Sequence, residues 1–208
     1  MPLSSLPLGR RSPAMLIALV LLAPATLQHT PRALAQVSEQ DDHGQKARLD
    51  ALFSALAAAA GDSEAAVIVQ DIWTTWSRSG RTDVDRLMDA AGASMEARNF
   101  GVASVLLDEV VSLLPNFAEG WNRRATLRFM MGDLEGSTRD IERTLALEPR
   151  HFGALSGRAM IHMKREQWQE ALEAYRAALK ANPFLPERHQ VVPTLERKAN
   201  EKRLKGPI

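Results

Sequence analysis

From residue 84 to residue 185, apolar side chains recur at steps of three and four and are broken at regular intervals by short polar turns. This is the pattern of successive amphipathic helices. It predicts helices over 84–97 and 101–114, a third running to Met131 ahead of Gly132-Asp133, and others over 135–147, 152–165 and 168–181. Upstream, Leu49, Leu52, Phe53 and Leu56 mark an alanine-rich helix over 46–60, broken at Gly61-Asp62. Val67, Ile68, Ile72, Trp73 and Trp76 mark a second over 63–79, with Ser63 in position to cap it. Asn116 and Glu119 have the spacing of a capping box. Beyond Pro186 a charged stretch predicts one more helix over 194–205, with Pro193 in its first turn.

These helices come in pairs, and the pairs repeat. Leu87, Ala91, Ala103, Leu107 and Pro115 are followed 34 residues later by Trp121, Ala125, Ser137, Ile141 and Pro149. After another 34 come Leu155, Ala159, Ala171, Tyr175 and Pro183. Small residues stand where two helices must cross closely, large ones fill the gap to the next pair, and proline ends the second helix. The chain resembles the tetratricopeptide repeat family in both period and positions. The resemblance implies an all-α solenoid, a right-handed superhelix of helix-turn-helix repeats over 84–117, 118–151 and 152–185. Counting back a further 34 residues makes 46–82 a degenerate N-terminal repeat, a cap stacked on the first clear one. Residues 186–208 then form a charged capping helix and tail.

In this family the first helix of each repeat lines a concave surface that takes protein or peptide segments. That mapping brings together Met88, Met95, Asn122, Thr126, Phe129, Met130, Met160 and Met163 as a partner-binding groove. Met95, Phe129 and Met163 are 34 apart and form one row, and methionine suits a surface that repacks around different partners. Some members hold a partner's terminal carboxylate with a Lys, Asn and Arg clamp. Here the slots for the last repeat's Lys and Arg hold Gly153 and Gly157, and Asn122 is one position off the clamp asparagine. Chaperone-tail recognition is not expected.

Composition narrows the rest. Arg10, Arg11 and Arg32 are the only charged residues before Gln36, so the remainder carries a slight acidic excess and gives no electrostatic case for nucleic acid. No cysteine is present, which removes disulfides, thiolate metal sites and a cysteine nucleophile. Residues 1–35 read as a signal peptide. Arg10 and Arg11 form its basic start, residues 14–23 an apolar run too short to span a bilayer, and Ala33-Leu34-Ala35 a small-x-small site, with Ala23-Pro24-Ala25 as a second site. In a Gram-negative cell this predicts export to the periplasm, with retention as a membrane tether the alternative. Residues 36–45 are expected to be a flexible acidic linker.

No phosphate-binding glycine loop and no His-Glu-x-x-His occurs, and Gly153-Ala154-Leu155-Ser156-Gly157 places its serine off the nucleophile-elbow pattern. No catalytic residue, cofactor or metal is expected. The expected function is a monomeric, non-enzymatic adaptor or scaffold of the cell envelope. The rival is a structural subunit or tethered assembly factor of an envelope complex.

Overall fold

The computed structural model describes residues 31–205, with side-chain surroundings for 44–204. The described residues form α1 Pro31–Ala58, α2 Asp62–Trp76, α3 Thr82–Glu96, α4 Phe100–Leu113, α5 Ala118–Met131, α6 Leu134–Leu147, α7 Phe152–Lys164, α8 Trp168–Ala181 and α9 Arg188–Lys205, with no strand among them. Helices pack as the pairs α3/α4, α5/α6 and α7/α8, and successive pairs meet through α4/α5 and α6/α7. The result is an all-α solenoid.

The small residues stand at the crossings. Ala91, Ala103, Ala125, Ser137, Ala159 and Ala171 are all buried, and the Ser137 hydroxyl donates to the Ala125 carbonyl across the α5/α6 crossing at 2.8 Å. Leu107, Ile141 and Tyr175 are buried beside them. The turn inside each repeat recurs with the same period. Arg98, Gly132 and Glu166, 34 apart, all take left-handed backbone, and only Gly132 does so without a Cβ penalty. Asp133 then caps α6 by accepting the Gly136 amide at 2.8 Å.

Several helix starts differ from expectation. Ser63 lies inside α2, whose first turn is instead tied by Glu64 accepting the Ala60 amide. The Asn116/Glu119 capping box does not form. Phe117 stands at the N-cap of α5, Asn116 accepts from Arg143, and Glu119 turns elsewhere. α7 is capped by His151, whose Nδ1 accepts the Ala154 amide.

At the ends the structure corrects the sequence reading more substantially. Residues 36–45 are not a flexible linker but part of α1, which runs unbroken from Pro31 to Ala58. Pro31 suits a first helical turn, no later proline interrupts, and helix propagates readily once its amphipathic part is held by a neighbour. The Gln45 amide group secures that neighbour by donating to the Thr75 and Arg78 carbonyls. Residues 1–30 of the expected signal peptide lie outside the described residues. α9 begins at Arg188, so Pro193 lies within it rather than in its first turn. Its packing on α8 through buried Leu195 and the flanking Val191 and Val192 holds the helix across the proline.

The α1/α2 hairpin is the largest departure. It forms a helical pair as expected, but its core does not merge with that of the first repeat. Leu49, Leu56, Ala65, Ile72 and Trp76 share a cluster with Phe152 of α7, flanked by Ala181, Phe184 and Leu185. The α3/α4 cluster draws its residues from α3 to α5 and includes none from the hairpin. Val102 and Val105 of α4 are 46% and 67% exposed.

Candidate functional site: the inner face and the hairpin across it

The first helices of consecutive repeats lie side by side, and α5 touches α7 directly. Along their shared face, Glu119, Asn122, Arg123, Thr126 and Met130 of α5 stand in register with Gly153, Ser156, Gly157, Met160 and Lys164 of α7. The groove residues predicted from sequence separate into three sets. Thr126, Met130 and Met160 are exposed, both methionines at 48%. Met95, Phe129 and Met163 are partly buried, each against the core of its own repeat, so the row of equal spacing is half packing and half surface. Met88 and Asn122 are buried and do not belong to an open groove. Met88 fills the α3/α4 core, and Asn122 is held down because its amide donates to Glu119 at 2.9 Å.

Glu119 is the centre of a polar network that sequence reasoning missed. Its carboxylate is almost fully buried and takes the Asn122 amide, the Arg123 guanidinium at 3.4 Å and the His151 ring nitrogen Nε2 at 3.1 Å. Because His151 Nδ1 accepts the Ala154 amide, the ring proton sits on Nε2 and is donated to Glu119. Arg123 also donates to the Met88 carbonyl, joining α5 to the first repeat. Both Glu119 oxygens and both His151 ring nitrogens are engaged in structural bonds.

The hairpin lies over the other side of His151. Trp76 stacks on its ring and Trp73 meets it edge-on, with Phe53 and Phe152 completing an aromatic cluster. Arg150 sits 4.4 Å from the Phe53 ring and pairs with both Asp50 and Glu148. Lys46 and then Arg150 hold the Asp50 carboxyl below the usual carboxylate range, and Glu148 and then Asp50 raise the Arg150 guanidinium against the opposing effect of burial. One signal in the sequence pointed here: Trp73 and Trp76 sit one helical turn apart, and two adjacent indoles need a large apolar counterpart.

Two clefts lie elsewhere. One of about 330 Å³ separates α6 from α7 beside Ile141, Arg158 and His162, and one of about 440 Å³ separates α8 from α9 beside Leu179, Val192 and Pro193. In the first, the Thr138 hydroxyl donates to the Leu134 carbonyl and His162 Nδ1 pairs with Gln167 at 2.9 Å. Among the described residues, no group of three His, Cys, Asp or Glu could hold a metal, and no helix is long and apolar enough to cross a membrane.

Comparison with known proteins agrees with this architecture. The family model described as Tetratricopeptide repeat matches residues 152–185. A TPR repeat-containing protein of Rhizobium etli is 41% identical over 139 residues, covering 64% of this chain and 68% of that one. The chain belongs to the tetratricopeptide repeat family. Solved structures of the fold include the Sgt2 TPR domain from Aspergillus fumigatus, with TM-score 0.54 and 22% identity over 58% of this chain and 82% of that one. The TPR2B domain of yeast Sti1 in complex with pHsp70 gives 0.53 and 13%, over 59% of this chain and 100% of that one. The first TPR of Spaghetti (RPAP3) bound to the HSP90 peptide SRMEEVD gives 0.54 and 15%, over 56% and 93%. At these identities the likeness is one of fold. The tetratricopeptide array of the present chain carries, in addition, a hairpin packed against its third repeat.

Proposed function

We propose that this tetratricopeptide repeat protein is a non-enzymatic adaptor that binds a peptide or protein segment on the inner face of α5 and α7. The observation that carries the reading is the exposure of Met130 and Met160, with Thr126, on two helices in direct contact. Exposed methionines on a rigid helical scaffold supply an apolar, adaptable surface at low cost in preorganisation. Two structural neighbours are complexes, one with an HSP90 peptide and one with pHsp70. The tight clamp for a terminal carboxylate is not the model for this chain, because Gly153 and Gly157 offer no side-chain charge.

The variant Thr126→Glu/Met130→Glu/Met160→Glu changes only exposed positions and is expected to keep wild-type helix content by circular dichroism. Peptides selected on the wild-type protein from a random display library are expected to bind the variant about tenfold more weakly or worse. Equal affinity for both, or no selectable peptide, would remove the groove reading.

The site of action is the cell envelope in this proposal, reached by export through residues 1–35. Cleavage after Ala35 leaves Gln36–Ala58 of α1 on the mature chain. Mass spectrometry of the protein from its own cells is expected to find an N-terminus at Gln36 or Thr26. A chain still beginning at Met1 and fractionating with the cytosol would overturn it.

A further inference from the structure

The seam between the hairpin and the third repeat is built like a docked ligand on its receptor. Trp76 lies flat on His151, with 4.0 Å between ring centroids and 11° between planes, and Trp73 meets Phe152 edge-on at 5.3 Å. Trp73 occupies the space above Gly153, where a Cβ would come within 2.6 Å of its ring. Two ion pairs flank the aromatic centre, Asp50 with Arg150 and Asp62 with Arg188, each at 2.7 Å. The acidic partner belongs to the hairpin in both. Aromatic anchors at the centre and complementary charges at the rim are the anatomy of a recognition interface.

Two features mark this contact as releasable. The Trp76 indole Nε1–H is buried without a hydrogen-bond partner among the described residues, a group that water would satisfy on opening. The hairpin also hangs on a short polar connection over 77–81, where Gly80 takes left-handed backbone.

We propose that the α1/α2 hairpin is a displaceable ligand in cis. The surface beneath it, formed by Arg150, His151, Phe152 and Gly153 with Arg188 at its rim, is an interaction site for a helical segment. Such a segment carries two aromatic side chains one turn apart and carboxylates on its flanks. Gly153 lies on the same face of α7 as Met160, two turns earlier, so a segment running along the inner face and the docked hairpin compete for one end of it. The seam stands on its own contacts, and only this competition rests on the groove reading.

The test uses the full chain and a fluorescein-labelled peptide of residues 44–78 as the probe. The variant Trp73→Ala/Trp76→Ala empties the site in cis while leaving the receptor residues unchanged. It is expected to bind the probe at least about tenfold more tightly than the wild type does, and not to bind a probe lacking the two tryptophans. A variant with wild-type helix content that binds the probe no better than wild type overturns the proposal. Should that variant lose helical structure, Gly153→Ala decides. Alanine is favoured over glycine in a helix, yet its Cβ pushes on Trp73. Because the chain has no cysteine, spin labels at Ala55→Cys and Gln169→Cys report the hairpin position cleanly. A lengthened label distance with the repeats still folded supports the proposal. An unchanged distance, or loss of the whole fold, refutes it.

Discussion

Arg124→Met is expected to destabilise the folded chain by about 3–5 kcal/mol. Asp140 is almost fully buried, and its two oxygens receive Arg124 Nε and Nη2 at 2.9 and 2.8 Å and Arg128 Nη1 at 2.9 Å. Arg124 also reaches Asp108 of α4 at 2.8 Å, so one guanidinium ties α4, α5 and α6 together. Burial by itself would pull the Arg124 guanidinium down, but the bonds to Asp140 and then Asp108 outweigh it and raise it. Methionine keeps much of the stem's packing and removes the charge, which leaves Asp140 buried with half its partners. Urea unfolding followed by circular dichroism should show a lower midpoint at unchanged slope. The double variant Arg124→Met/Asp140→Leu should lose far less than the two single changes added together, since no charge is then stranded. A loss under about 1 kcal/mol in the single variant would mean that Arg128 alone suffices for Asp140.

Trp76→Ala should cost about 3–5 kcal/mol, the range for truncating a large buried aromatic. The loss should be confined to one part of the molecule. Trp76 contacts Phe53, Trp73, His151 and Phe152, all within the hairpin and its seat on the third repeat. The α3/α4 and α5/α6/α7 clusters lie outside this set. Hydrogen exchange should therefore show lost protection in α1 and α2 with α5 and α6 little changed. A uniform loss across all helices would show that hairpin and repeats fold as a single cooperative unit, and the idea of a releasable hairpin would fall with it.

The repeat region was legible because its signals are local and redundant. A 3.6-residue period, a small residue at each crossing and a proline after each second helix all agree, and each is written three times. The boundaries of α3 to α8 came within a residue or two of expectation for that reason. Trp121 and Trp168 are respectively a half-buried side chain donating to the Pro115 carbonyl beneath Arg124 and a partner in the α7/α8/α9 core. The groove was only partly legible. Spacing shows which residues share a helix face, but whether Met88 or Met160 reaches solvent depends on how deeply neighbouring helices sink onto that face.

The amino-acid sequence by itself determined the helices of the three repeats, their pairing and their stacking period, because each depends on contacts between residues no more than about one repeat apart. Only the tertiary structure decided where the N-terminal hairpin goes. Asp50 meets Arg150 and Asp62 meets Arg188 across 100 and 126 residues, and no periodic pattern encodes such a pairing. The hairpin's tryptophans required an aromatic counterpart and a glycine to lie over, and the third repeat supplied them.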